Sequence, residues 1–191
     1  GLYYPLAYFK GDKESLESYA FQEGRQKQVV ILIRTQFLKR FESSSHAFER
    51  SCDRLLLKLL AWVTRHSESN VEKRRLEKWR LKNEKLLGAV NKRQLELFQD
   101  SDEEEFEEDI ITEEMLEDVE LLQRDEYRVD DIIDDTYFDL DTIVDFLKEL
   151  RKFKPSHDDK LKALIKLLKS DAVLKKNKVL IFSEFAETAR Y

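Results

Sequence analysis

Apolar residues in this chain recur mostly by threes and fours, and that spacing predicts a run of helices. Val29, Leu32, Ile33, Phe37 and Phe41 lie on one helical face, and the serine cluster Ser43 to Ser45 breaks or caps that helix. Phe48, Cys52, Leu55, Leu59 and Val63 repeat by four and three, which predicts a second helix from about His46 to Arg65, roughly 30 Å long at 1.5 Å per residue. The stretch "HSESN" ends it. Ser69 followed by Glu72 is a capping box, and it opens a long helix with the stripe Leu76, Trp79, Asn83, Leu86 and Val90. Two such helices with a short link read as an antiparallel hairpin with a coiled-coil-like seam, where Asn83 sets the register and Gly88 weakens straightness.

Further on, "VDDIIDDTYFD" is too short to classify, whereas Leu140, Ile143, Val144, Leu147 and Leu150 define an amphipathic helix that Pro155 ends. Ser156 is the expected cap of another, with Leu161, Leu164, Ile165 and Leu168 inside. The last stretch, "KVLIFSEFAETARY", differs in kind. Val179 to Phe182 are apolar without alternation, the pattern of a strand covered on both faces in a parallel sheet, and Ser183 opens a helix. A parallel strand needs crossover-connected neighbours, so its sheet is expected to lie in other sequence or in a partner chain. The opening residues, with Pro5, Gly11, Gly24 and several tyrosines, read as irregular, with a short helix near Lys13 to Phe21.

The fold class expected is therefore mainly α: a helical hairpin or bundle insertion with one C-terminal β-strand belonging to a truncated α/β lobe. Its parts are an irregular segment 1–27, helices including the long hairpin at 28–99, an acidic linker 100–118, a helical segment 119–176 and the start of a lobe at 177–191.

Composition agrees with helix: 41% hydrophobic, 39% charged, four glycines and two prolines in 191 residues. No apolar run approaches the ~20 residues that cross a bilayer, so no membrane partner is expected. Cys52 alone makes no internal disulfide, which fits a cytoplasmic setting. The net charge of -6 conceals a split. Residues 1–99 hold 20 Lys or Arg against 12 Asp or Glu, and residues 100–191 hold 14 against 28. Twelve of those carboxylates fall in 100–118, too many like charges to fold unaided.

Catalytic chemistry finds no support in the residues. No glycine sits in a phosphate loop, and the acidic run fails as a calcium loop because Glu105 stands where the turn wants Gly and Ile111 where a bidentate Glu is required. His46, His66 and His157 are dispersed, Cys52 lies on an apolar stripe, and Asp130, Asp131, Asp134 and Asp135 are spaced as an exposed helix face. Basic helices are the stronger signal. Arg34, Lys39 and Arg40 edge the first helix, while Lys78 and Lys82, with Lys73, Arg74, Arg75, Arg80 and Lys85, surround the second arm of the hairpin. Phosphate contact and plain solvated surface laced by Glu72, Glu77 and Glu84 are both open readings.

Two stretches together resemble the Swi/Snf-type ATPases of helicase superfamily two, in their bacterial branch. "RTQFLKRFESSSHAFERSCDRLL", residues 34–56, is similar to the segment after the first motor lobe, with Phe41 where Leu is usual. "KVLIFSEFAETARY" resembles the start of the second lobe including the fourth helicase motif, with Glu184 where many relatives have Gln. The resemblance implies the helical insertion between two RecA-like lobes of an ATP-dependent DNA translocase. Double-stranded DNA is then the partner of the whole motor, ATP and magnesium its cofactors, and protein partners a further role for the insertion. This fragment alone is expected to hold no cofactor and perform no catalysis. It also adds Ser183 to the DNA-phosphate candidates, because the fourth motif lies near the DNA strand in relatives. The alternative is an independent coiled-coil-like protein-interaction module with an acidic arm.

Overall fold

The computed structural model describes residues 3–11, 19–99 and 121–190. The acidic linker 100–118, most of the short helix expected near Lys13, and Tyr191 lie outside the described residues. Seven α-helices are found among those described: α1 Tyr19–Ser43, α2 Ser45–His66, α3 Asn70–Lys82, α4 Glu84–Gln99, α5 Val129–Leu150, α6 Asp159–Ser170 and α7 Ala186–Arg190. The chain is mainly helical, as its periodicity predicts.

Helix α2 is the axis. Cys52, Leu56, Leu59, Trp62 and Val63 meet Ile132, Ile133, Leu140, Val144 and Leu147 of α5 in one cluster, closed on a third side by Leu76, Trp79, Leu86 and Val90. Direction follows from the contacts. Phe48 near the start of α2 meets Phe146 near the end of α5, at 6.1 Å between rings, while His66 at the end of α2 accepts from Leu122, just before α5. The two helices are therefore antiparallel. Arg80 donates to Thr64 and Arg93 to Asp53, so α3 and α4 descend as α2 ascends, and the expected antiparallel hairpin is present. Helix α1 folds back along α2 as a second layer.

Each helix end has a local cause. Ser44, extended at φ -160° and ψ 155°, accepts from the Ala47 N–H and separates α1 from α2. Ser69 and Glu72 form the full reciprocal capping box. The long second arm is not one helix, and the interruption falls at Asn83 rather than at Gly88. Asn83 is buried, its Nδ2 donates to the Trp79 carbonyl at 3.0 Å, and its backbone leaves helical geometry at φ -110° and ψ 13°. A side chain that bonds its own backbone competes with the helix ladder there.

The ambiguous "VDDIIDDTYFD" continues into one helix, α5, because Val129, Ile132, Ile133, Thr136 and Tyr137 extend the buried stripe one further turn at each step. Asp130, Asp131, Asp134 and Asp135 face outward, as their spacing predicts. Asp158, not Ser156, caps α6 by accepting from the Leu161 N–H at 2.9 Å. No residue of α6 is buried.

At the C-terminus the structure departs from expectation. No strand is found among the described residues, and the run Val179 to Phe182 is exposed, Phe182 to 90%. Ladder bonds need a neighbouring strand, and the described helices offer none. The nearest thing to β structure is a single antiparallel bridge between Phe9 and Tyr127. It ties the N-terminal segment to the approach of α5.

Candidate functional site at the α1–α2 elbow

Residues 41–48 turn the chain from α1 into α2, and the turn is stiffened by aromatic edges. Phe37 and Phe41 both meet the Phe48 ring edge-on, at 6.1 and 5.1 Å. On this elbow sits α7, more than 130 residues away in sequence. Glu187 Oε1 accepts from Arg54 Nη1 at 3.1 Å and from Arg40 Nη1 at 3.3 Å. The Thr188 hydroxyl bonds to the Ser43 and Ser44 hydroxyls at 2.7 and 2.9 Å. Phe185 is buried with the Arg40 guanidinium 4.8 Å from its ring centre, and Lys39 reaches Glu184 at 3.4 Å.

Electrostatics keep Glu187 ionised. Burial works to raise its carboxyl, but its own backbone N–H together with Arg54 and Arg40 outweighs burial and holds it below the usual glutamate range. His46 beside it is pushed down, by burial first and by Arg50 second, which leaves a neutral ring at neutral pH.

The elbow gathers some of the DNA-phosphate candidates and leaves others apart. Lys39 and Arg40 are at its centre, each facing a glutamate of the C-terminal segment. Ser183 is exposed next to them, its Oγ accepting from the Phe185 N–H at 3.3 Å. Arg34 is exposed one turn further along α1. Lys78 and Lys82 are exposed on α3, a helix with no extensive packing against α1, so the six candidates do not form one surface. Sequence reasoning missed Arg54, Ser43, Ser44, Glu187 and Thr188. Arg54 was legible as the basic position three residues beyond Ser51 on the face of α2 that turns to α1, but its acidic partner was not.

Beside the elbow an apolar groove of about 670 Å³ is lined by Phe37, Leu38, Phe41, Phe48, Phe146 and Phe153, with Arg34 and Glu149 at its rims. Such lining takes apolar side chains rather than a polar substrate. Among the described residues no group of three or more His, Cys, Asp or Glu converges to hold a metal. Nor does a phosphate cradle form from the described glycines. Gly24 and Gly88 lie inside helices, and a Cβ on Gly11 would come within 2.6 Å of the Phe9 ring.

Compared with models of protein families, with curated proteins and with solved structures, the chain finds no match.

Proposed function

We propose that this chain is the helical insertion between the two motor lobes of a Swi/Snf-type, ATP-dependent DNA translocase, with its last residues opening the second lobe. One observation supports the reading above others. The two stretches that resemble the family, 34–56 and 178–191, are distant in sequence yet dock on each other through Arg40, Arg54 and Glu187, and through Ser43, Ser44 and Thr188. On this reading the elbow holds the root of the second lobe at a set angle to the insertion. The exposed apolar run 179–182 then waits for the parallel strands on either side of it. Double-stranded DNA is the motor's partner. ATP and magnesium belong to the lobes, and no residue of this chain is assigned to them.

The reading frame that encodes the chain supplies the test. The longer polypeptide should carry a phosphate loop upstream and hydrolyse ATP faster when duplex DNA is added. Glu187→Ala in that polypeptide should uncouple hydrolysis from DNA. A frame without a phosphate loop removes the proposal.

A protein-interaction module is the second reading, and the aromatic groove favours it. Leu38 and Phe41 are more than half exposed and Phe146 is half exposed around a concave apolar floor. Binding of an amphipathic helix there, with no DNA dependence of any kind, would make it the better account.

A further inference from the structure

We propose that the cleft between α1 and α2 is a phosphate-binding notch, and that Glu187 of the C-terminal segment stands in for the phosphate in the present state.

The cleft encloses about 240 Å³ between Leu32, Ile33, Gln36, Phe37 and Arg40 on α1 and Ser51, Arg54, Leu55 and Lys58 on α2. Three cations line it and no carboxylate does. The volume falls below the roughly 300 Å³ at which pockets for whole organic ligands begin, and it suits a compact oxyanion. Leu32, Ile33, Phe37 and Leu55 give it an apolar side, facing the cations across the cleft.

Two of those lining cations, Arg40 and Arg54, converge on a single oxygen of Glu187, at 3.3 and 3.1 Å. A carboxylate brings one negative charge and two oxygens to two guanidinium forks. A phosphate brings more of both, and two forks can each take two of its oxygens. The same two arginines therefore have a better anion available than the one they hold. Glu187 arrives on a five-residue helix tied down by Thr188 and Phe185. Lifting that element frees Arg40 and Arg54 for an incoming anion beside Lys58, which lines the same cleft. The notch and its internal competitor are then one device, in which lifting the C-terminal segment and binding phosphate drive each other.

This inference goes beyond the motor reading and does not require it, since the notch would serve a free phosphate as well as a nucleic-acid backbone. Inorganic pyrophosphate by calorimetry and a fluorescently labelled duplex by anisotropy distinguish the two sources. Glu187→Gln should tighten binding, and Lys58→Gln should weaken it, each by about threefold or more. Lys58 is only half-buried, so its replacement avoids the folding cost of touching buried Arg54, and circular dichroism checks that both variants keep their helix. Lys166→Gln, the same charge change at an exposed position of α6 away from the cleft, should leave pyrophosphate binding unchanged. Opposite responses to Glu187→Gln and Lys58→Gln with both probes assign a phosphate site open to small anions, and with duplex alone assign a backbone-phosphate site. The notch is refuted if the chain binds neither probe, if either variant leaves both unchanged, or if Lys166→Gln weakens pyrophosphate binding as much as Lys58→Gln does.

Discussion

Arg93 on α4 holds both carboxylate oxygens of Asp53 on α2, Nε to Oδ2 at 2.8 Å and Nη2 to Oδ1 at 2.6 Å. Asp53 is fully buried. Burial pushes its carboxyl above the usual range, and the Arg93 fork opposes that shift. This pair is one polar tie between the second arm of the hairpin and the axial helix, beside Arg80 to Thr64 and Arg93 to Glu49. Arg93→Ala leaves a buried charge without its fork and should cost about 3–5 kcal/mol, whereas the double change Asp53→Leu with Arg93→Met should recover most of it. Urea denaturation of the three proteins measures both values, and equal stability of Arg93→Ala and the parent would refute the tie.

Glu72 closes the capping box of α3 and also accepts from Arg124 at 2.8 Å. Burial works to raise its carboxyl, but the Ser69 backbone and hydroxyl and Arg124 win, and its value falls from 4.5 to about 2. A group lowered in the folded state stabilises fully above its unfolded value and loses that contribution as pH falls. Stability should therefore drop between pH 4.5 and about 2. Glu72→Gln should flatten that part of the curve in thermal melts taken at successive pH values.

Cys52 is 1% exposed, and burial, with Asp53 and Glu49 adding to it, pushes its thiol up to about 12. The thiolate is the reactive form, so Ellman's reagent should not modify the native protein at pH 8. Labelling should track global unfolding in denaturant; fast labelling of the native chain would contradict the packing of α2.

Leu180 and Phe182 are exposed to 82% and 90%. Backbone amides from 180 to 182 should exchange within seconds in this chain, while those of Leu56 and Val63 in the axial helix persist for hours. Slow exchange at 180–182 in a demonstrated monomer would show that a partner strand is present.

The twelve carboxylates of 100–118 carry the same sign of charge as a phosphate backbone, and charges act on one another over a Debye length of ~10 Å at 0.1 M salt. Replacing 100–118 with a neutral linker of equal length should tighten duplex binding, and affinity should fall steeply with salt in both proteins. Arg34→Ala with Arg40→Ala should loosen it. Anisotropy at two salt concentrations decides; unchanged affinity in both variants ends the DNA-facing role of this half.

Much of the helical order was legible in residue spacing because burial and local capping act over three or four positions. The stripes of α2 and α5, the Ser69–Glu72 box and the outward acids of α5 follow from periods that short. Where a residue had two local options, spacing was a poorer guide. Asn83 fits a helix seam as a register residue, yet buried beside the Trp79 carbonyl it takes that bond and breaks the helix. Asp158 and Ser156 are both able caps, and only the path of the chain after Pro155 puts Asp158 in place.

By itself the sequence determined that this is a mainly helical chain with a basic first half, an acidic second half and an apolar terminal run, because composition and periodicity are properties of neighbours along the chain. Tertiary structure alone decided that Arg40 and Arg54 meet Glu187. Glu187 is separated from both arginines by well over a hundred positions, and nothing local marks it as their partner. Their meeting depends on α1 folding back on α2 at Ser44 and on Phe185 being buried beside Arg40, so that three side chains distant in sequence share one partly buried space in which their charges count.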